Sequence, residues 1–300
     1  MKVEIAQICG LCMGCKKAID TTIEKLKTTQ NVVLLKEIVH NQNVNKKLTT
    51  LGAKIVDNLN NLNKNCHVVL RAHGEPPSTY DFLNKNGINF TDCTCENVKI
   101  IHKNIQYFSS KGYTIILVGK YGINKQSPHP EVVGSGGWAT GLVIPVETFD
   151  DLSLLSKDNS EKYFLTYQTT FSEEMANKLT NKIKSIINKK SAELIVENSL
   201  CQTGKIIKKH SIELAKNSDL MIVVGSKNSS NTKELFECLN KICPTIYLED
   251  INNWQEEFSK QNIVLTHQFT VGITAGASTQ KSELFELKHK IEQNFFNMKW

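Results

Sequence analysis

Short apolar runs alternate with amphipathic segments along most of the chain. Runs typical of buried strands occupy residues 3–8, 32–39, 68–72, 115–119, 162–166, 194–197, 220–225, 245–248 and 269–273. Segments with apolar residues at helical spacing lie between several of them, at residues 16–27, 98–110, 173–188 and 205–216. This alternation predicts an α/β fold in which helices cover both faces of parallel sheets.

Three strand-to-helix junctions resemble one another and indicate an internal repeat. VEIAQICGLC precedes MGCKKAIDTTIEKL, INFTDCTC precedes ENVKIIHKNIQYF, and AELIVENSLC precedes QTGKIIKKHSIELA. Each junction has a cysteine at its turn: Cys12, Cys95 and Cys201. Parallel α/β units bind ligands beyond the carboxyl ends of their strands, so three such units around a common centre would bring three thiolates together.

The composition is that of an ordinary soluble globular protein. Of its 300 residues, 40% are hydrophobic and 22% are charged, and the formal net charge is +6. Lysines are spread along the predicted helices, which argues against nucleic-acid binding, whereas an anionic small substrate fits this mild positive charge. The apolar runs are far too short for a membrane span, and a strand pattern begins at residue 3 with no signal or transit peptide. We therefore expect no membrane segment and a cytoplasmic location.

Nine cysteines need an explanation, because disulfides are rare in the cytoplasm. CGLCMGC, residues 9–15, has the spacing of an iron–sulfur loop, but that loop needs a fourth cysteine where this chain has Ile19. No second close cysteine pair lies at zinc-ribbon distance. Cys15 and Cys238 fall on apolar helical stripes and are interpreted as core residues. The remaining four are Cys9, Cys66, Cys93 and Cys243. Simple burial is the favoured interpretation of these four, although the roles of Cys9 and Cys93 stay ambiguous.

Three thiolates alone would leave a metal cluster one protein ligand short. A cubane cluster with three thiolates keeps one iron open, and an open position is what catalysis requires. The other strand ends carry histidine, glutamate, hydroxyl and amide side chains. GSKNSSNTKEL follows an apolar strand and opens a helix, so its side chains and backbone N–H groups suit a diphosphate. Each feature alone has an ordinary structural explanation, such as a helix cap, but together they favour one site.

In chain order, several segments resemble the LytB family of 4-hydroxy-3-methylbut-2-enyl diphosphate reductases, over about residues 3–280. They are GLCMGCKKAI, EIVHN, RAHG, TDCTC, HPEVVG, QTT, VVGSKNSSNT and VGITAGAST. The resemblance implies three pseudo-symmetric α/β units with parallel sheets, arranged as a cloverleaf around a central iron–sulfur cluster. These units would span residues 13–95, residues 96–195, and residues 196–280 together with 1–12. A C-terminal tail helix would follow over 281–300.

The resemblance also implies a reaction and the residues that perform it. The family removes the substrate's allylic hydroxyl as water and gives isopentenyl and dimethylallyl diphosphate, the final step of the methylerythritol phosphate (non-mevalonate) route. A [4Fe–4S] cluster with one open iron would be held by Cys12, Cys95 and Cys201. The catalytic residues would be Glu131, Thr169 and His129. The diphosphate would be bound by His40, His73, His129, Ser229, Ser230, Asn231 and Ser278. An external ferredoxin or flavodoxin would supply electrons, because the chain lacks a Gly-rich dinucleotide motif.

The sequence departs from the family pattern at a few positions. Cys15 replaces a small or apolar residue, Cys93 an alanine, Glu96 a proline and Tyr167 a threonine, and residues 121–127 lengthen the loop before HPEV. Two other classes of protein remain as alternatives. One is a non-catalytic iron–sulfur or zinc electron carrier, which would need four protein ligands and would not use the Ser/Asn loop. The other is a metal-free phosphate hydrolase, in which the three junction cysteines could be replaced.

Overall fold

The computed structural model describes residues 1–261 and 268–297, and its strands form three parallel sheets of four strands each. The strands are β1 (Lys2–Ile5), β2 (Val32–Leu35), β3 (Lys54–Val56), β4 (His67–Leu70), β5 (Asn89–Asp92), β6 (Thr114–Val118), β7 (Val143–Val146), β8 (Lys162–Tyr167), β9 (Glu193–Val196), β10 (Leu220–Val224), β11 (Thr245–Leu248) and β12 (Thr270–Ala275). Every pairing within these sheets is parallel. The predicted α/β class is confirmed.

Helices connect the strands. They are α1 (Met13–Thr28), α2 (Gln42–Thr50), α3 (Pro77–Lys85), α4 (Glu96–Ser110), α5 (Pro130–Gly136), α6 (Leu152–Lys157), α7 (Glu173–Lys189), α8 (Gln202–Ala215), α9 (Ser230–Leu239), α10 (Trp254–Ser259) and α11 (Lys281–Asn297). Helix α11 corresponds to the expected tail helix, whose last positions, 298–300, lie outside the described residues. Within the described part of the chain, no helix combines the length and apolarity needed to cross a bilayer.

All three sheets have the same strand order. Two sheets run β3-β2-β4-β5 and β7-β6-β8-β9, so the first strand lies between the second and the third, and the fourth is at an edge. The remaining sheet, read as β11-β10-β12-β1, repeats this order with the N-terminal β1 in the fourth place. The internal repeat inferred from the three junctions is therefore present in the topology. The exact unit boundaries stay a prediction.

The fourth strand of each sheet leads to one of the junction cysteines. Cys12 lies between β1 and α1, Cys95 between β5 and α4, and Cys201 between β9 and α8. Each cysteine thus follows the carboxyl end of a parallel strand and precedes a helix, as the sequence predicted. This is the position at which α/β units place their ligands.

The chain divides into two compact bodies. We call Met1–Lys16, His40–Asn45 and Gln202–Trp300 the terminal body, and Lys17–Val39 with Lys46–Cys201 the middle body. In the terminal body, the side chains of β10 pack alternately into two cores, because successive side chains of a strand point to opposite faces. Ile222 packs in a core that includes side chains of α11, and Val223 packs in another that includes side chains of α8 and α9.

The middle body holds the other two sheets. The central strand β6 is buried along its whole length, and its side chains also alternate between two cores. Ile116 packs with Ile183 of α7, whereas Ile115 packs with Ile101 of α4. Helices therefore cover both faces of this sheet, which explains why β6 reads as a continuous apolar run.

The sequence pattern missed β3 and β7. Both are edge strands, and each has exposed or half-exposed positions, so neither gives a continuous apolar run. Pro145 within β7 is itself typical of edge strands, since proline cannot donate to the hydrogen-bond ladder. The pattern also extended the second strand too far. The strand ends at Leu35 because Lys36 adopts a left-handed conformation with φ of 63°.

Candidate active site

Cys12 belongs to the terminal body and lies at the start of α1. Its own N–H donates to the Ala277 carbonyl at 2.9 Å, and its sulfur accepts the Cys15 N–H at 3.4 Å. Hydrogen bonding from Cys15, first from its side chain, lowers the pKa of the Cys12 thiol to about 6 despite the opposing effect of burial. Cys12 is therefore suited to bind metal as a thiolate.

Cys95 and Cys201 belong to the middle body and are fixed through their backbones. Cys95 is the N-cap of α4, and its N–H donates to the Ala72 carbonyl at 3.0 Å. The Cys201 N–H donates to the Thr169 carbonyl at 2.8 Å, and its sulfur accepts a hydrogen bond from Asn97 Nδ2 at 3.6 Å. Cys12, Cys95 and Cys201 are all half-buried, and none of them is in a disulfide.

The other cysteines differ in part from the sequence interpretation. Cys9, Cys66 and Cys93 are buried, as the simplest interpretation has it, but Cys243 is half-buried. Burial raises the pKa of the Cys93 thiol to about 11, which argues against a metal-binding thiolate at that position. Cys15 and Cys238 are half-buried rather than core residues. The interpretation of Cys15 was wrong because its side chain, in the first turn of α1, hydrogen-bonds to Cys12.

Glu131 is a buried carboxyl in the first turn of α5 in the middle body, and only 2% of it is exposed. Its Oε1 accepts the Thr169 N–H at 2.5 Å, and its Oε2 is 2.8 Å from the Thr169 hydroxyl oxygen. Burial raises the pKa of Glu131 to about 7, although both hydrogen bonds from Thr169 lower it. The structure thus brings together two of the three predicted catalytic residues and keeps the carboxyl poised to exchange a proton near neutral pH.

His129, the third predicted catalytic residue, is the N-cap of α5. Its Nδ1 accepts the Glu131 N–H at 3.2 Å, so the neutral ring carries its proton on Nε2. The ring also contacts His73 edge-on, with 5.3 Å between the ring centroids. The middle body therefore holds His73, His129, Glu131 and Thr169 in one group of contacting residues.

Residues that the sequence analysis missed support the loop that carries His73. Arg71, the only arginine in the sequence, forms an ion pair with Glu75 at 2.7 Å, and both are 5% exposed. Trp138 Nε1 donates to the Glu75 carbonyl at 3.0 Å, and its ring stacks on buried His102 at 5.2 Å. Burial lowers the pKa of His102 to about 4, so this ring is neutral. The unique arginine within RAHG was the one signal available in the sequence.

In the terminal body, the Ser/Asn loop leads from β10 into α9. Ser229 is the N-cap of α9, and its hydroxyl accepts the Thr232 N–H at 3.3 Å. The ordinary capping role is therefore real, but it leaves the hydroxyl hydrogen of Ser229 able to donate. Ser230 lies buried in the first turn. Among the described residues, the buried Asn231 Nδ2 finds no hydrogen-bond partner, which suits a ligand that accepts hydrogen bonds.

The second small-residue loop of the terminal body is joined to the segment that carries His40. The Ser278 hydroxyl donates to the His40 carbonyl at 3.0 Å. Asn41 Nδ2 donates to the Ser278 carbonyl, also at 3.0 Å. These two hydrogen bonds join Ser278 to His40 and Asn41, while the assignment of His40 and Ser278 to the diphosphate stays a prediction.

Two departures from the family pattern have structural explanations. Glu96 occupies the first position of α4, where an acidic side chain interacts favourably with the helix dipole, and its carboxylate is 2.9 Å from Lys17 Nζ. The lengthened loop, residues 121–127, is fastened near β7 and α6. Its N–H groups at Tyr121 and Gly122 donate to the Glu147 carboxylate at 2.7 Å and 3.0 Å.

Comparison with known proteins places the chain in a family. The family described as "LytB protein" matches residues 3–292. The chain belongs to the LytB family. A LytB relative from Clostridioides difficile (strain 630), named 4-hydroxy-3-methylbut-2-enyl diphosphate reductase, is 31% identical over 93% of this chain and 95% of its own length. A relative of the same name from Helicobacter pylori (strain P12) is 32% identical over 97% of this chain and 99% of its own length.

Solved structures of LytB reductases share the fold. One is described as (E)-4-hydroxy-3-methyl-but-2-enyl diphosphate reductase, the terminal enzyme of the non-mevalonate pathway. It is 31% identical, has a TM-score of 0.71, and the match covers 98% of this chain and 100% of that one. The reductase of Plasmodium falciparum is 27% identical, with a TM-score of 0.83, and the match covers 96% of this chain and 87% of that one. The family resemblance seen in the sequence is confirmed.

The loop around His73 gives a first testable prediction. Gly74 has φ of +80°, and an added Cβ would lie 2.5 Å from His102 Cε1, whereas Gly112 has the same φ and meets no described atom within 4 Å. Gly112→Ala should lose about 1–2 kcal/mol of unfolding free energy through left-handed strain alone. Gly74→Ala should lose about 1–3 kcal/mol more, because His102 must move. Urea unfolding of the cluster-free proteins measures both, and equal losses would contradict this packing.

Proposed function

We propose that this LytB-family protein catalyses the reductive dehydroxylation of 4-hydroxy-3-methylbut-2-enyl diphosphate. The products are isopentenyl and dimethylallyl diphosphate, and the reaction is the final step of the methylerythritol phosphate (non-mevalonate) route. Relatives that match nearly the whole chain carry the name of this reductase. The single observation that carries the proposal is the buried Glu131 carboxyl, which is held by Thr169 and has its pKa raised to about 7. Such a group can deliver protons where bulk water is excluded.

The cofactor in this proposal is a [4Fe–4S] cluster bound by Cys12, Cys95 and Cys201, with one iron lacking a protein ligand. The donor set fits such a group: all three thiols are half-buried, lie at helix starts and are not in disulfides. Cys12 and Cys201 each accept an N–H hydrogen bond at sulfur, which stabilises a thiolate. When bound, the cluster would supply single electrons and a Lewis-acidic site for the substrate's hydroxyl oxygen.

The proton path follows from the hydrogen bonds of Glu131. Because Oε1 accepts the Thr169 N–H, the acid form carries its proton on Oε2, which lies 2.8 Å from the Thr169 hydroxyl oxygen. This oxygen then accepts from Glu131, and the Thr169 hydroxyl hydrogen becomes available to the substrate's hydroxyl. A proton passes from Oε2 through Thr169 Oγ1 to the leaving oxygen, which departs as water. His129 offers an Nε2–H to orient the same hydroxyl.

The diphosphate in this proposal is held by hydrogen bonds rather than by a lysine and arginine clamp. Ser229 donates its hydroxyl hydrogen, because its oxygen already accepts the Thr232 N–H. Asn231 Nδ2 gains the partner that it lacks among the described residues. Ser278 turns its hydroxyl from the His40 carbonyl toward the anion. The complete proposed set is His40, His73, His129, Ser229, Ser230, Asn231 and Ser278.

The electrons come from an external protein donor, a ferredoxin or flavodoxin, and the reaction takes place in the cytoplasm. The sequence has no Gly-rich dinucleotide motif that would let the chain use a nicotinamide or flavin nucleotide directly. An electron-carrier function accounts less well for the same residues. A carrier needs neither a buried acid with a pKa near 7 nor an amide donor that lacks a hydrogen-bond partner among the residues that the structure describes.

Serine substitutions test the ligand set. Cys12→Ser, Cys95→Ser and Cys201→Ser should each lose or degrade the cluster, because a neutral hydroxyl is a far poorer ligand than a thiolate. Cys238→Ser, at another half-buried cysteine, should keep it. Iron content and visible absorbance after anaerobic reconstitution measure the outcome. Full iron in any of the three ligand variants would remove that residue from the set.

Glu131→Gln tests the function itself. Glutamine keeps the size of the side chain but cannot donate a proton as an acid, so turnover should fall by about 100-fold or more. The cluster should form fully, and affinity for the substrate should change only modestly. Glu174→Gln, at an exposed glutamate that pairs with Lys178, is the matched control and should keep normal turnover. Near-normal turnover of Glu131→Gln would reject the proposed proton donor.

A further inference from the structure

Cys12 and Cys15 form a C-x-x-C pair in the first turn of α1. The Cys12 carbonyl accepts the Lys16 N–H at 2.8 Å, so Cys12 is the N-cap of the helix and Cys15 is its third residue. Side chains at these two positions face each other, as they do in a capping box. Here the Cys15 N–H donates to the Cys12 sulfur at 3.4 Å, and the Cys15 side chain also hydrogen-bonds to Cys12.

The third cysteine of this segment is arranged differently. Cys9 is buried near the end of β1, and its thiol donates to the Ala6 carbonyl at 3.2 Å. Gly10 lies between Cys9 and the pair, with φ of +77° and its N–H bonded to the Ala275 carbonyl. The hydrogen bonds of the segment thus align Cys12 with Cys15 and direct Cys9 elsewhere. Cys9 is therefore a matched control within the same peptide.

We propose that Cys12 and Cys15 form a reversible disulfide when the protein is without its cluster. The oxidant is a low-molecular-weight disulfide. The Cys12 thiolate attacks one sulfur of that disulfide, whose S–S bond breaks, and a mixed disulfide forms while one small thiolate leaves. The Cys15 thiolate then attacks the Cys12 sulfur, forms the Cys12–Cys15 bond and releases the second small thiolate. Two protein thiols are oxidised and one small disulfide is reduced to two small thiols. The two protons lost by the protein thiols pass to the two small thiolates.

The disulfide would have two consequences for the cysteine that it protects. The first rests on the proposed function: an oxidised Cys12 cannot bind iron until a dithiol reductant opens the bond. The second is chemical. An isolated sulfenic acid on Cys12 can be oxidised further to the sulfinic acid, which is not reversed by thiols, whereas a neighbouring thiol diverts it to a reducible disulfide. Cys15 would thus act as a resolving cysteine for the ligand Cys12.

The test uses the full-length cluster-free protein, incubated anaerobically with oxidised glutathione. Alkylation of the remaining thiols and cleavage after lysine release residues 3–16, which contain all three cysteines. The wild type should lose two alkylatable thiols in this peptide, and fragmentation should place the alkyl group on Cys9. Cys9→Ser should still form the disulfide. Cys15→Ser should accumulate glutathione on Cys12 instead.

Three results would overturn the inference. They are a wild-type peptide that keeps all three alkylatable thiols, an alkyl group on Cys15 rather than Cys9, and a Cys15→Ser peptide that still forms an internal disulfide. The position of the alkyl group in the wild type decides the matter even where a variant folds poorly. Circular dichroism of each variant checks the fold.

A parallel measurement separates this inference from the proposed function. Reduced Cys15→Ser protein, reconstituted with iron and sulfide, should reach the iron content of the wild type, because Cys15 is outside the ligand set. Full reconstitution of Cys15→Ser, together with no disulfide in the wild type, would contradict the proposed disulfide and remain consistent with the proposed function. A disulfide in the wild type together with failed reconstitution of Cys15→Ser would support the pair and contradict the ligand set.

Discussion

The contact between Glu131 and Thr169 is the interaction on which the proposed chemistry of the middle body depends. One threonine donates its N–H to Oε1 of the carboxyl and places its hydroxyl against Oε2. The carbonyl of the same threonine accepts the Cys201 N–H, so the turn after β8 fixes both a proposed proton donor and a proposed cluster ligand. The hydrogen bonds favour the ionised carboxyl, but burial outweighs them, and the pKa of Glu131 rises from 4.5 to about 7.

The repeated topology explains why the chemistry gathers at strand ends. In each sheet the fourth strand occupies the same edge and is followed by a cysteine and then a helix. A thiol at a helix start has backbone N–H groups nearby, and these stabilise a thiolate without a lysine or arginine. The proposed diphosphate donors have a similar position, since Ser229 lies at the start of α9 just beyond β10. In the proposed site, helix termini would thus replace much of the basic charge that an anion otherwise needs.

Much of this arrangement was predictable from the sequence, and the failures have physical causes. Strands such as β6 are buried throughout and were found, whereas the edge strand β7 was missed because two of its four positions are only half-buried. The contact between Glu131 and Thr169 joins residues far apart in the chain, and buried His102 has no local pattern. The Arg71–Glu75 ion pair had only the unique arginine of the sequence as a signal. Cys15 was misassigned because apolar residues at helical spacing do not show that a first-turn side chain hydrogen-bonds to the N-cap residue, here Cys12.

In the proposed mechanism, Glu131 holds a proton near neutral pH. Because its pKa in the folded protein is raised, its contribution to stability is complete below about pH 4.5 and is lost as the pH rises through about 7. Infrared difference spectra of the cluster-free wild type against Glu131→Gln, recorded across this range, observe the proton directly. We expect a protonated-carboxyl band that is present in the wild type at pH 6 and disappears with a midpoint near 7. A band that disappears with a midpoint near 4.5 would show an ordinary ionised glutamate and contradict this mechanism.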